Sequence, residues 1–269
     1  MIKKLWIYLL LLISAIVITF PVLYAISASF MTTQEVNRGA LIPSSFSLDN
    51  YIQAFKSVPL FHFLLNSFIV AFSVMVGQLI ICSLAAYAIV FIPFKGRNFI
   101  FFLLISTMLI PWEAAFLPNY ITVLNLGWIN EYPGLTLPFF ATAFGIFLLR
   151  QQFMTIPKEL YESAQMDGCS RFRFYTKFAL PLSKPILSAL GIFSFLTTWN
   201  MYLWPLLVTN NNDVRTVQIG LKMMISAETG TAWNVVMAGV VLVLLPTLIL
   251  LILGLSHLKR GLTQGALKG

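Results

Sequence analysis

The sequence predicts an all-α membrane protein with six transmembrane helices and both termini on the cytoplasmic side. Three observations lead there. The 269 residues are 59% hydrophobic and only 10% charged, with a mean hydropathy of +0.87, whereas an ordinary soluble domain is about a quarter charged. The apolar residues gather into six runs near the length of about 20 residues that a helix needs to cross a bilayer core. The 17 basic residues are divided unequally between alternate connecting segments, as the positive-inside rule requires.

Taken in order, the first run extends from Leu5 to Ala28 behind Lys3 and Lys4, and the second from Phe63 to Ile92. The third runs from Phe99 to Leu117, the fourth from Leu135 to Phe153, the fifth from Pro185 to Val208 and the sixth from Val235 to Leu258. None alternates apolar and polar residues as barrel strands do, so each is predicted as a helix. The first run also has features of a signal peptide, with small residues in "AISAS", but its apolar stretch is long for that role. No internal repeat, low-complexity tract or soluble domain interrupts the chain, which is predicted to be a single transmembrane domain over residues 1–269.

Placing both termini inside puts 13 basic residues on the inner side, among them Lys3, Lys4, Lys95, Arg97, Lys259, Arg260 and Lys268. Six of the 13 lie in one segment: Arg150, Lys158, Arg171, Arg173, Lys177 and Lys184. Only four, Arg38, Lys56, Arg215 and Lys222, fall outside. Glu35, Asp49, Glu131, Asp213 and Glu228 also lie outside. The formal net charge of +8 is thus a topology signal and not a nucleic-acid footprint.

The polar segment between the fourth and fifth runs, residues 156–184, reads as two short helices. Pro157 suits a helix start and Glu159 favours the positive end of the helix dipole. Leu160 and Ala164 are four apart and share a face. Gly168 stands where a left-handed terminating residue is expected, and Ser170 can cap the following helix. Pro181 and Pro185 then break the chain before the fifth run. A surface that is small at Ser163 and Ala164 and acidic at Glu162 and Asp167 can enter a cleft on a partner. The pattern by itself fits a solvated loop with positive-inside charge better than a docking surface.

The stretch "KELYESAQMDGCSRFRFYTKFALPL" resembles the cytoplasmic EAA loop of bacterial ATP-binding-cassette (ABC) importer permeases. The family pattern is Glu-Ala-Ala, three residues, Gly, nine residues, then Ile-x-Leu-Pro. Here Glu162-Ser163-Ala164 is followed after three residues by Gly168, and after nine more by Phe178-Ala179-Leu180-Pro181. Ser163 and Phe178 depart from the pattern while keeping size class or apolarity. "LLNSFIVAFS", "TTWNMYLWPLLVTN" and the tail "RGLTQGALKG" look like carbohydrate-type permeases related to maltose permeases. "LPFFATAFGIFLLRQQFMTIP" looks like the branch of mixed substrates that includes sn-glycerol-3-phosphate importers.

The resemblance implies a bacterial, multi-pass cell-membrane permease subunit that is not itself an enzyme. Its partners would be a homologous second permease, two ATPase subunits, an extracytoplasmic solute-binding protein and the lipid bilayer, with no nucleic acid. The solute would be a sugar or sn-glycerol-3-phosphate. Glu162, Ser163, Ala164, Asp167, Gly168, Leu180 and Pro181 would form the ATPase-coupling loop. No G-x-x-x-x-G-K-[ST] sequence is present, so the chain should not cradle ATP phosphates; no cofactor is expected in it, and ATP and Mg belong to the partner ATPase.

Other marks are weaker. Glu113 lies near the outer end of the third run, where an intramembrane acid is a functional candidate but a terminal one also reaches the interface. Asn200, Tyr202 and Trp204 suit a sugar path, since amides and aromatic faces match hydroxylated solutes; they equally fit an interfacial aromatic belt. Tyr51, Ile52 and Phe55 follow Ser47 at helical spacing, as in an external interfacial helix. Cys82 and Cys169 read as two free thiols, and His62 and His257 as interfacial residues. Two rival classes remain at this level. An intramembrane protease has only the adjacent Ser256 and His257 in its favour, which is not a catalytic arrangement. An ATP-independent channel or secondary carrier would have similar size.

Overall fold

The computed structural model describes residues 2–225 and 230–266, with the side chains of residues 6–225, 230–252 and 254. The side chains of Lys3, Lys4, Glu228, Ser256, His257, Lys259, Arg260 and Lys268 lie outside that set. All regular structure among the described residues is helical. Among the described residues three helices are long and apolar enough to cross a membrane: Trp6–Ala28, Leu60–Phe91 and Trp233–Ile252. Three further spans arise only if bent pairs are joined: Arg97–Leu109 with Trp112–Asn125, Tyr132–Phe139 with Ala143–Met154, and Arg171–Leu182 with Lys184–Trp199.

Two of these bends and one early helix end correct three sequence expectations. The third run is not one helix from Phe99 to Leu117; it turns by 99°. Pro111 lacks an N–H and its ring forces Ile110 into extended backbone, φ −87° and ψ 119°, so the helix stops there. The fourth run bends by 43° before Thr142, whose hydroxyl accepts the Gly145 N–H at 3.2 Å and restarts the helix. The fifth run ends early. Its helix, Lys184–Trp199, is capped by Asn200, and a separate short helix covers Leu203–Val208. Pro205 is tolerated there because it sits in the first turn, where an N–H has no partner in the helix.

The chain forms two compact units. The first comprises residues 1–64 and 216–247. Its first helix exposes most of its apolar side chains, from Trp6 to Ile26. After it, Thr32 and Glu35 form a reciprocal capping box. One Glu35 oxygen accepts from the Thr32 N–H at 2.8 Å and the other from the Ser44 N–H at 2.9 Å. With the Ser44 contacts leading and those from Thr32 following, its carboxyl is held at about 2. The buried Asn50 amide donates to the carbonyls of Ser29 and Met31 at 2.9 and 2.8 Å and accepts from Asn234 at 2.7 Å. All these groups would be costly to bury unpaired, so Asn50 pins the turn after the first span to the start of the last. The Asp49–Ser57 helix turns Ile52 and Phe55 outward.

The second unit comprises residues 65–215 and 248–269. One core of this unit packs Phe91, Leu149, Phe153, Phe174 and Tyr175 beneath the polar segment. A second packs Val74, Val123, Leu135, Trp204 and Val208. Gly145 is required between them in sequence, because a Cβ there would stand 2.9 Å from the Cys82 sulfur.

Candidate functional site

The polar segment folds as two helices, Lys158–Met166 and Arg171–Phe174, the second continuing through a π-helical turn at Tyr175–Ala179 and a final turn at Leu180–Leu182. Pro157 precedes the first helix with φ −56°. The turn between the helices closes by a Schellman pattern. The Gly168 N–H donates to the Gln165 carbonyl at 3.0 Å and the Cys169 N–H to the Ala164 carbonyl at 2.9 Å. That pattern needs a left-handed residue, and Gly168 has φ +74°. Ser170 then caps the second helix by accepting the Arg173 N–H at 3.3 Å.

The loop residues named from the sequence divide by facing. Glu162, Ser163, Asp167, Gly168 and Pro181 are exposed. Ala164 is buried in the chain's own core, and Leu180 packs against it; both therefore hold the loop in place from within. A groove of about 320 Å³ lies beside the turn, lined by Ala164, Asp167, Cys169, Arg173, Lys177 and Phe178.

Two phenols fasten this loop to the second span. Tyr87 donates to the Arg171 carbonyl at 2.7 Å, and Tyr175 and Ser83 share a hydrogen bond of 2.7 Å. The Tyr87 and Tyr175 rings meet edge to face, with centroids 5.1 Å apart. Tyr161 and Phe174 make a similar contact at 4.9 Å. The loop is thus bonded and stacked onto the spans.

A cavity of about 590 Å³ opens where the breaks of the third and fourth spans meet the end of the Lys184–Trp199 helix. Its wall is largely apolar, with Ile110, Trp112, Phe139 and Phe193. Polar groups come from Gln78, Thr107, Thr142, Ser194, Thr197 and Thr198. Gln78 donates to the Phe139 carbonyl at 2.8 Å. The buried Ser194 hydroxyl has no hydrogen-bond partner among the described residues, which is unusual enough to mark a ligand or water position. Size and lining suit a small solute with both hydroxyls and an apolar face.

None of the four path residues named from the sequence lines this cavity. Glu113 and Asn200 are exposed and Tyr202 is half-buried, next in sequence to the lining residues Trp112 and Met201. Trp204 is fully buried and its indole N–H donates to the Gly134 carbonyl at 3.0 Å, so it offers no surface to a solute. The polar lining escaped notice, although Ser194, Thr197 and Thr198 stand three and four apart on one face of an apolar run. Gln78, an amide in the middle of the second span, was a comparable signal.

An all-helical chain with several apolar spans and a polar helical loop fastened onto them is a membrane transport component in its architecture. The chain belongs to the family described as binding-protein-dependent transport system inner membrane component, which it matches over residues 4–263; it is a multi-pass protein of the cell membrane. It is 39% identical over 267 residues to the sn-glycerol-3-phosphate transport system permease protein UgpE of Brucella abortus (strain 2308), covering 96% of this chain and 95% of that one. The protein of the same name in Escherichia coli O1:K1 / APEC is 38% identical over 264 residues, covering 95% and 94%. Among solved structures, a chain of a bacterial ABC transporter involved in the import of the acidic polysaccharide alginate shares the fold. Its TM-score is 0.86 at 24% identity, with 94% of this chain and 95% of that chain covered. A second structure of a bacterial alginate ABC transporter, in complex with an alginate pentasaccharide-bound periplasmic protein, gives 0.69 at 16% identity, covering 97% and 96%.

Proposed function

We propose that the chain acts as a single permease domain of an ABC importer for a polyhydroxylated solute, sn-glycerol-3-phosphate or a sugar, and couples passage of the solute to ATP hydrolysis on separate ATPase subunits. A homologous second permease completes the path and an extracytoplasmic binding protein delivers the solute. The termini and the 156–184 loop face the cytoplasm, in keeping with the 13-to-4 division of basic residues. The observation that carries the coupling reading is the loop itself. Glu162, Ser163, Asp167 and Gly168 are presented outward on a capped helix and turn, while Ala164 and Leu180 anchor the same helix pair within. An ATPase that closes against this face would tilt the attached spans as rigid bodies.

The solute path follows the cavity of the broken spans, with Asn200, Tyr202 and Glu113 as flanking contacts. Among the described residues no basic side chain lines the cavity, and a phosphate ordinarily requires cationic contacts. Recognition of a phosphate therefore falls to the binding protein or the second permease. The experiment is uptake into proteoliposomes by the chain purified with its co-encoded partners. Uptake requires ATP, the binding protein and the ATPase subunits, and falls when Ser194 or Asn200 becomes alanine. Uptake by the permease alone, without ATP, would instead establish a channel or secondary carrier.

A further inference from the structure

Apart from the solute cavity, a second pocket, of about 330 Å³, lies beneath the loop helix. Arg97, Arg150 and Lys158 line it with the Asn98 amide, against one carboxylate, Glu162. Its three cations come from three different elements: the start of the third span, the end of the fourth and the first residue of the loop helix. Arg150 is held in place rather than free. Its guanidinium carbon sits 4.0 Å above the Phe101 ring, a cation–π contact that fixes the plane of the fork. The Arg150 Nε is buried and has no hydrogen-bond partner among the described residues. A fixed guanidinium with an unused donor, next to two more cations, is a site for an oxyanion. The remaining wall is apolar, including Phe91 and Met154.

We infer that this pocket binds a phosphate group, and that its source is the headgroup of an anionic phospholipid. The cations meet the phosphate oxygens, and the apolar wall takes the glycerol and the start of an acyl chain. Phe91, Arg97 and Met154 all stand at span ends, the level at which basic pockets between transmembrane helices meet lipid headgroups. A free phosphate would leave the apolar wall uncovered. Because Lys158 belongs to the loop helix, a headgroup held by it together with Arg97 and Arg150 bridges that helix to the third and fourth spans. The lipid thereby becomes part of the mechanical link. The leaflet assigned, the cytoplasmic one, rests on the topology proposed above; the anion site itself does not.

The test uses the chain purified in detergent with its co-encoded partners, titrated with dioctanoyl phosphatidylglycerol, dioctanoyl phosphatidylcholine and inorganic phosphate. Native mass spectrometry reads bound lipid, and the thermal midpoint reads the folded state. Phosphatidylglycerol should bind saturably and more tightly than phosphatidylcholine. Arg150→Gln and Arg97→Gln should each weaken it by about tenfold, the loss of one charge-assisted contact, whereas Arg150→Lys should retain part of the affinity. Inorganic phosphate that displaces phosphatidylglycerol, and raises the midpoint of the native chain but not of Arg150→Gln, would keep the oxyanion site and assign it to free phosphate. Equal binding of the two lipids, or equal affinity in native and Gln variants of unchanged midpoint, would overturn the site. If Arg150→Gln fails to fold, Arg97→Gln alone decides. Binding is read without transport and without a defined orientation, so failure of the import reading and absence of the anion site give separate results.

Discussion

Gly168 offers the sharpest test of the loop as a rigid handle. A Cβ built there meets no atom within 4 Å, so alanine brings no clash within the chain. The cost is conformational only, because an L-residue is disfavoured at φ +74°. It amounts to about 1–2 kcal/mol for alanine, more for a β-branched residue and less for asparagine. Those energies act on the two hydrogen bonds that close the turn, from Gly168 to Gln165 and from Cys169 to Ala164. One to two kcal/mol changes a population by a factor of about 5–30. Amide exchange at Cys169 should therefore accelerate up to that factor in Gly168→Ala, further in Gly168→Val and least in Gly168→Asn. Association with the ATPase subunits and ATP-driven uptake should weaken in the same order. Equal exchange at Cys169 for asparagine, alanine and valine would refute the argument, because the three differ in how readily they adopt φ +74°.

Three further outcomes are expected. The Glu35 carboxyl is depressed to about 2 from its ordinary value of 4.5, so its contribution to holding the turn is complete above pH 4.5 and is lost as the pH falls through the folded value; the protection of the Ser44 amide, taken relative to its intrinsic exchange rate at each pH, should fall over that interval and should not respond to pH in Glu35→Gln. Trp204→Phe leaves the Gly134 carbonyl without its donor and should cost about 1–3 kcal/mol, lowering the thermal midpoint and uptake together, whereas Asn200→Ala should lower uptake at an unchanged midpoint. With Cys169 and Cys82 replaced by serine and alanine, a cysteine at position 213 should react with an impermeant maleimide in intact cells and one at position 97 should not; the reverse pattern would invert the topology.

The apolar runs were legible because burial in lipid is a matter of composition, and composition survives without knowledge of contacts. The loop was legible for a different reason. Gly168 and Ser170 act on their immediate neighbours, so their roles as terminator and cap are local and can be read from spacing. The bends were not read, although Pro111 was in plain view, because a hydropathy run counts side chains and ignores the backbone donor that proline removes. Trp204 fits a solute path or an interfacial belt equally on sequence, since an aromatic near a span end suits both. Its true partner is a carbonyl 70 residues earlier in the chain, which no local pattern announces. Ala164 illustrates the same point: its small size is local information, but which surface it approaches is not.

The π-helical turn at Tyr175–Ala179 has a consequence for how the loop tolerates insertions and deletions. Such a turn holds one residue more than the α-helical turn it replaces. The nine residues between Gly168 and Phe178 run into this turn, so the interval measures a geometry as well as a length. Removing a single residue between Tyr175 and Leu180 would let the turn relax to an ordinary α-helical one, which is still one turn about the axis, so the residues on either side keep their relative facing. Tyr175, whose phenol meets Ser83, and Leu180, packed against the inner core, would still share a face. A residue taken from ordinary α-helix has no such slack, because each accounts for about 100° of rotation. The loop is in this sense a ruler with one mark to spare, and the spare mark lies inside the π-helical turn.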